Sequence, residues 1–491
     1  AIPFSVDISR MIELLASQIY PSPFALLREN VQNAFDAVML RRHAGHTFDA
    51  KIEVTIESDR IVVADNGIGM SRQELREHFW RAGSSSKNTD EARAAGVVGT
   101  FGIGAMANFG IADRLEVVSE SAQIQERTLC VAERTTLSVT DDCIAFTKVP
   151  ATGSPGSVVS AMMQPGKTID VGQAVAYIAD FVKFVDLPVF VNGNLLSLTP
   201  IENAVPEFAV SWRWSGSDVP LGANIKADIA LSGSAQAEVR IDLSAIKFND
   251  SPIVGRMVLR QGIGAVRTFR NRFGLAATSI PSVYQLGGVA DFLLLKPTAG
   301  REALTTESVA FLNLFAGPID KLISEQLALR PEANSSQAFI NWASSHKRWD
   351  LCGQLRTRIE PGDSATLSEL AQRSQIRPLL VYGGTDPGTL SHASTDRPVV
   401  ALARNAQRRS CEQGYLSRFG KVEPLTDAPR VLKKLDPSEL DLAQSALAFR
   451  LVEILNSEYF LSSIVGFGTI SHGLPVLVQG NNPVEVILDP S

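Results

Sequence analysis

The stretch IVVADNGIGM at residues 61–70 constrains the fold more than any other run of its length in the chain. Ile61 to Ala64 suit a buried strand, and the run stops at an acid. Gly67 and Gly69 then let the backbone turn within a few residues. The expected product is a strand ending in a tight corner, with Asp65 held at its tip. A carboxylate there can accept a hydrogen bond from an exocyclic amine, and the glycines leave room beside it for a flat ring. Taken alone, the same residues read more simply as an Asn-Gly hairpin turn.

Two other stretches acquire meaning only beside this one. LLRENVQNAFDAV, residues 26–38, reads as a helix. At roughly 100° per residue, Glu29, Asn33 and Asp36 fall within an arc of about 60°. Leu27, Val31, Ala34 and Val38 gather on the opposite side and would pack into a core. In isolation the polar side would simply face solvent. GVVGTFGIGAM, residues 96–106, carries Gly96, Gly99, Gly102 and Gly104 ahead of a helix beginning near Ala105. Backbone N–H groups at a helix start, reached through residues without side chains, suit a polyphosphate. No GK[ST] follows, so this is not a Walker A loop.

The first ~160 residues read as α/β. Helices over 7–19 and 23–42 precede the strand material KIEVTIESDRIVVAD, a helix from Ser71 and the polar loop SSSKNTDEARAAG. Strands follow in LEVVSES, TLCVAE and GSVVSAMM, and a boundary is expected near Pro165–Gly166. A second α/β region runs to about residue 310 through LPVFVNGN, EVRIDLS and RMVLRQG. Helical material from about 305 leads into a small strand–helix–strand unit, RPLLVYGG to VEPL. The final residues hold one strong helix, PSELDLAQSALAFRLVEILNSE, and the strand PVEVILDP. The expected domains are therefore 1–165, 166–310, 311–435 and 436–491.

Composition narrows the function classes. A length of 491 residues allows two to four domains with their own cores. A net charge of −6 argues against a molecule built as a whole for nucleic acid or an anionic membrane. No apolar run approaches the ~18 residues of a bilayer span, and AIPFSVDISRM lacks the basic-then-apolar order of a secretory signal. Cys130, Cys143, Cys352 and Cys411 show no metal-like spacing, so buried thiols in the cytoplasm are expected.

The order of the motifs is specific where each alone is not. A helix with Glu-x3-Asn-x2-Asp, a strand ending Asp-x-Gly-x-Gly, a polar loop and Gly-x2-Gly-x-Gly together resemble the GHKL ATPase superfamily, which includes gyrase B, MutL, histidine kinases and the 90-kDa heat-shock (HtpG-type) chaperones. FSVDISRMIELLASQIYPSPFALLRENVQNAFDAV, DNGIGMSRQEL and GTFGIGAMANFGIADRLEVVS most resemble the heat-shock chaperones. FVKFVDLPVFV looks like the entry to their middle domain, and GGVADFLLLKPTAGREAL like its arginine-bearing loop. The resemblance implies an N-terminal Bergerat-type α/β sandwich, an α/β middle domain and a small C-terminal α/β region.

It also implies roles. Glu29 would be the general base on the attacking water, and Asn33 the ligand of Mg²⁺, with Asp36 in support. Asp65 would read the adenine amine, with Gly67, Gly69 and Met70 against the ring and Ser157 assisting through water. Gly99, Phe101, Gly102, Ile103 and Gly104 would wrap the phosphates of ATP, and Lys87 in a lid over about 78–98 would contact them. Arg301 would reach the γ-phosphate; as a residue on its own it reads equally as a loop arginine paired to Glu302.

Two departures stand out. The family commonly has an asparagine thirteen residues after the adenine-reading aspartate, where this chain has His78. The family also ends in a dimerisation domain, and only residues 436–491 remain here for one. The implied partners are protein clients and a homodimer, transient or ATP-dependent, with no membrane. Arg256, Arg260, Arg267, Arg270 and Arg272 fall in a segment without acids and could grip a nucleic-acid backbone. A surface facing an acidic neighbour is the favoured reading of them. The leading expectation is an ATP-dependent chaperone-like ATPase. The alternatives are an ATP-gated clamp on nucleic acid and an ATP-binding switch with little turnover.

Overall fold

The computed structural model describes residues 24–81, 107–138, 141–222, 224–298, 303–384, 387–391, 393–427 and 429–490. The chain divides into two compact units, Ala1–Lys321 and Leu322–Ser491.

The first unit holds two large sheets. Its first sheet has the order β5-β4-β3-β6-β2-β1-β7-β8. The strands are β1 (Ile52–Ile56), β2 (Arg60–Asp65), β3 (Ala112–Glu120), β4 (Arg127–Glu133), β5 (Ile144–Val149), β6 (Gly156–Met163), β7 (Val189–Val191) and β8 (Asn194–Leu195). In β1 burial alternates residue by residue, so Ile52, Val54 and Ile56 face the core while Glu53 and Thr55 face out. Helix α1 (Ala25–His43) packs on β1, β2 and β6, with α2 (Val171–Val182) beside it. Leu27, Val31 and Val38 of α1 and Ile178 and Val182 of α2 share one core with the sheet. The helix expected from Ser71 is present as a single α turn with a Ser71–Glu74 capping box, and it continues as a π turn, Leu75–Phe79.

The first sheet runs past the boundary expected near residue 165. After α2 the chain returns as β7, parallel to β1 with Ile52 opposite Val189. A strand can join its neighbour in parallel only after a long crossover, which the α2 segment supplies.

The second sheet has the order β15-β14-β16-β13-β11-β10-β9, with β12 (Ser251–Pro252) on β11. Its other strands are β9 (Trp212–Pro220), β10 (Ile225–Gly233), β11 (Val239–Phe248), β13 (Gly255–Arg260), β14 (Val266–Arg270), β15 (Phe273–Thr278) and β16 (Gly287–Phe292). Only β14 and β16 pair in parallel among its described ladders. Helix α3 (Thr306–Leu327) follows, and its buried Asp320 accepts hydrogen bonds from Ser282 Oγ and the Val283 N–H.

The second unit contains a five-stranded sheet, β18-β17-β20-β19-β21. Its strands are β17 (Arg356–Glu360), β18 (Asp363–Thr366), β19 (Leu379–Tyr382), β20 (Val399–Ala401) and β21 (Val422–Leu425). Helices α4 (Gln337–Ser345), α5 (Leu367–Arg373) and α6 (Ala406–Phe419) belong to the same unit. Both β20 and β21 run parallel to β19, which gives the expected strand–helix–strand unit. A four-stranded sheet ends the chain, in the order β22-β23-β25-β24: β22 (Val431–Lys434), β23 (Ser463–Ile470), β24 (Val476–Gln479) and β25 (Val484–Leu488). Helix α7 (Leu442–Ser457) packs on β23. Leu442 and Phe449 of α7 remain 87% and 79% exposed. Among the described residues no helix is long and apolar enough to cross a membrane.

Candidate functional site

Glu29, Asn33 and Asp36 lie on a helix that is buried on almost every side. Leu27, Val31, Ala34 and Val38 enter the core as the apolar periodicity requires. The polar side does not face water: Glu29 is 1% exposed and Asp36 0%, while Asn33 is half-buried. Arg28, Asn30 and Gln32 are buried too. Charged and amide side chains are expensive to hide, so such a helix needs partners built around it. One set is a reciprocal amide pair, in which Asn30 Nδ2 donates to Asn108 Oδ1 at 2.7 Å and Asn108 Nδ2 donates back at 3.4 Å. Nothing periodic in the sequence marks Asn108.

The corner after β2 forms as expected and docks directly on this helix. Asp65 closes β2, and its Oδ1 accepts the Gly67 N–H at 2.7 Å. The Ile68 N–H donates to the Ala37 carbonyl of α1 at 3.0 Å. A Cβ on Gly67 would lie 2.5 Å from the Ala37 carbonyl carbon, so only glycine permits this approach. Asp65 is therefore carried on a turn fastened to the helix that bears Glu29, Asn33 and Asp36.

Ladder register sets the floor beside Asp65. Asp65 on β2 pairs with Ser157 on β6, which pairs with Ser119 on β3. Cross-strand partners point to the same face, so one carboxylate and two hydroxyls form a row. Ser119 Oγ lies 2.8 Å from Ser157 Oγ and accepts the Met70 N–H at 2.8 Å. Ser119 is absent from the sequence-derived set, because nothing local reveals that β3 becomes the second neighbour of β2. The row suits a flat ring that carries an amine donor, the chemistry expected of adenine.

Gly69 has φ +64, and a Cβ there would sit 1.8 Å from the Glu120 carbonyl oxygen. Gly69→Ala should therefore cost about 2–4 kcal/mol, from left-handed strain plus a backbone collision. Urea unfolding of the variant measures this, and an unchanged midpoint would mean that the corner is looser than described.

Glu120 braces the other side of the corner. Its buried carboxylate accepts the Thr152 N–H and Oγ at 2.8 and 2.7 Å and the Gly153 N–H at 2.7 Å. These bonds, with the Thr152 N–H first and Arg127 adding last, hold the carboxyl below its ordinary range. A depressed native pKa contributes stability that is present above the unfolded value of roughly 4.3 and is lost as pH falls through the native one. Glu120→Gln should flatten that acid limb of the stability profile. A variant curve parallel to wild type below about pH 4.5 would remove Glu120 as its source.

The remaining sequence-derived residues divide cleanly. Lys87, Gly99, Phe101, Gly102, Ile103, Gly104 and Arg301 lie outside the described residues. His78 is half-buried in the π turn. Among the described residues no cluster of three or more metal-ligating side chains occurs. Three arginines of the basic segment form ion pairs within the first unit. Arg256 pairs with Glu202, Arg260 with Glu238 at 2.8 Å and Arg267 with Asp180 at 3.5 Å. Arg270 is 6% exposed, and the backbone N–H of Arg272 donates to Asp291 Oδ1.

Part of the sequence is similar to known proteins. Residues 21–145 match the family described as histidine kinase-, DNA gyrase B- and HSP90-like ATPase. The chaperone protein HtpG of Nitratidesulfovibrio vulgaris is 27% identical over 234 residues, covering 42% of this chain and 36% of its own length. HtpG of Dechloromonas aromatica is 31% identical over 139 residues, which is 25% of this chain and 22% of the relative. HtpG of Rhodopseudomonas palustris strain BisB18 is 32% identical over 140 residues, 25% and 23% of the two chains. The chain thus spans well under half the length of these relatives. Its segment 21–145 is a GHKL-type ATPase domain, similar to that of the HSP90/HtpG chaperones.

Proposed function

We propose that this chain binds and hydrolyses ATP and uses the cycle to act on protein clients, as a chaperone-like machine. The observation that carries the reading is the Asp65–Ser157–Ser119 row, on a corner packed against the helix that buries Glu29 and Asp36. Asp65 takes the adenine amine, Gly67, Gly69 and Met70 border the ring, and Ser157 contributes through water. Glu29 serves as general base on the attacking water, with Asp36 supporting it. Asn33 is the residue assigned to hold magnesium, which when bound would supply positive charge against that of the phosphates. Lys87, Gly99, Phe101, Gly102, Ile103 and Gly104 are assigned to the phosphates, and Arg301 to the γ-phosphate, on their sequence positions.

The domain scheme belongs to the same proposal: an ATP-binding domain followed by a middle domain that completes the site. Homodimerisation is part of it, and the exposed apolar residues of α7, Leu442 and Phe449, supply surface for a second copy. The internal pairing of Arg256, Arg260 and Arg267 speaks against a nucleic-acid clamp. Steady-state ATPase with and without duplex DNA or an unfolded protein tests these readings together. Turnover stimulated by the unfolded protein supports the chaperone reading, and stimulation by DNA alone would replace it with a clamp. Calorimetric binding without turnover would leave an ATP-binding switch.

A further inference from the structure

We infer that Phe273, carried by the second sheet, is a positioning residue that sets the lie of α1 and hence of Glu29 and Asn33; the inference rests on the ATPase reading above. Phe273 is the first residue of β15, yet it is fully buried in the core of the first sheet together with Leu27, Val31 and Phe35. Its ring lies 5.4 Å from Phe35 of α1 and 6.5 Å from Phe181 of α2, tilted at 38° and 37°. Pairs at this spacing contribute beyond the apolar area they bury. Phe181 in turn lies under the Arg28 guanidinium of α1, 5.4 Å from its centre.

The surrounding backbone is shaped to deliver this one side chain. Asn271 and Arg272 form a two-residue hairpin turn with φ of 53° and 65°. Asp291 Oδ1 on β16 accepts the Arg272 N–H at 3.1 Å and holds that turn. Gly274 then lets β15 lie flat on α2, where a Cβ would stand 2.7 Å from the Phe181 Cα. The hairpin is anchored again by Phe269 against Phe184 at 5.1 Å and by Arg267 against Asp180.

Phe35 sits next to Asp36 and about 120° around the helix from Glu29. Phe273 therefore presses on the flank of α1 and does not face the side that bears Glu29, Asn33 and Asp36. It acts through the helix, not on the nucleotide. Displacement of a reacting group by about 1 Å can cost on the order of 100-fold in rate. Loss of the Phe273 ring leaves α1 room to make such a shift. The adenine corner, though it also touches α1 at Ala37, is held independently by the pairing of Asp65 with Ser157 and by the Met70–Ser119 hydrogen bond.

The test compares wild type, Phe273→Ala and Phe273→Leu in the full chain. It uses steady-state ATP turnover, ADP binding by calorimetry and hydrogen exchange of the α1 amides. The expected result for Phe273→Ala is a kcat lower by roughly 10–100-fold. Its ADP affinity should stay within about threefold of wild type, with faster exchange over Val31–Val38 and unchanged exchange in β7. Phe273→Leu keeps apolar bulk but loses the ring contacts, so it should show the same pattern in weaker form, a several-fold lower kcat with measurably faster α1 exchange. It keeps the test valid if the alanine variant fails to fold. Unchanged α1 exchange in either folded variant, or ADP affinity falling in step with kcat, would overturn the inference. A wild type that neither binds nor hydrolyses nucleotide would instead refute the ATPase reading, and α1 exchange would then decide on Phe273 alone.

Discussion

Glu29→Gln is expected to bind ATP as tightly as wild type within a few-fold and to lose about 10²–10⁴ in kcat. That is the range a positioned general base supplies. The amide keeps the size of the side chain in a position that is 1% exposed, so the helix is not left with a hole. What it loses is the basic oxygen that would take the proton from water. Glu29→Ala should show the same kinetic loss, with some instability added because a buried polar network is opened. Single-turnover hydrolysis alongside calorimetric affinity separates the two effects. Glu29→Gln with wild-type turnover would dismiss Glu29 as the base, and matched losses in affinity and rate would make it a binding residue.

Asp65→Asn should weaken ATP binding by roughly 100-fold or more. Asp65 has two tasks at the corner. One oxygen accepts the Gly67 N–H at 2.7 Å and fixes the turn, and the other is assigned to the adenine amine. An asparagine can accept with only one end. If its carbonyl keeps the turn, its own NH₂ is directed at the ring amine, donor against donor. If it flips to greet the ring, the Gly67 N–H loses its acceptor. The same logic predicts discrimination against guanine, whose six-position carbonyl would meet a carboxylate. Titration of both variant and wild type with ATP and GTP checks the assignment, and GTP bound as tightly as ATP would remove Asp65 as a reader of the base.

What could be read in the chain before folding, and what could not, follows from the range of the interactions. The strand ending at Asp65, the glycine corner and the polar series Glu29, Asn33 and Asp36 are local patterns. Periodicity and turn chemistry suffice for them. Ser119, Glu120 and Asn108 carry no such mark. Their importance comes from β3 lying beside β6 and from Asn108 reaching Asn30 of α1, contacts such as Ser119–Ser157 and Asn30–Asn108 that lie 38 and 78 residues apart and that no short window contains. The strand LPVFV was legible as a strand, yet its return to the first sheet was not, since apolar alternation states which face is buried and not which neighbour is chosen. Burial of Arg28 and Gln32 was hidden for a related reason: a polar side chain is read as solvated until its surroundings are known.

The Phe35–Phe273 contact also bears on the order in which the molecule can assemble. The helix is made before the ring that covers its flank, which follows roughly 240 residues later. Until then the first sheet has its strands β1 to β8 but an unfinished core, with an aromatic flank open to water and to other chains. Closing a loop of that span carries an entropic cost, so this contact is expected among the late ones to form. The core of the half made first therefore takes its last aromatic ring from the half made second.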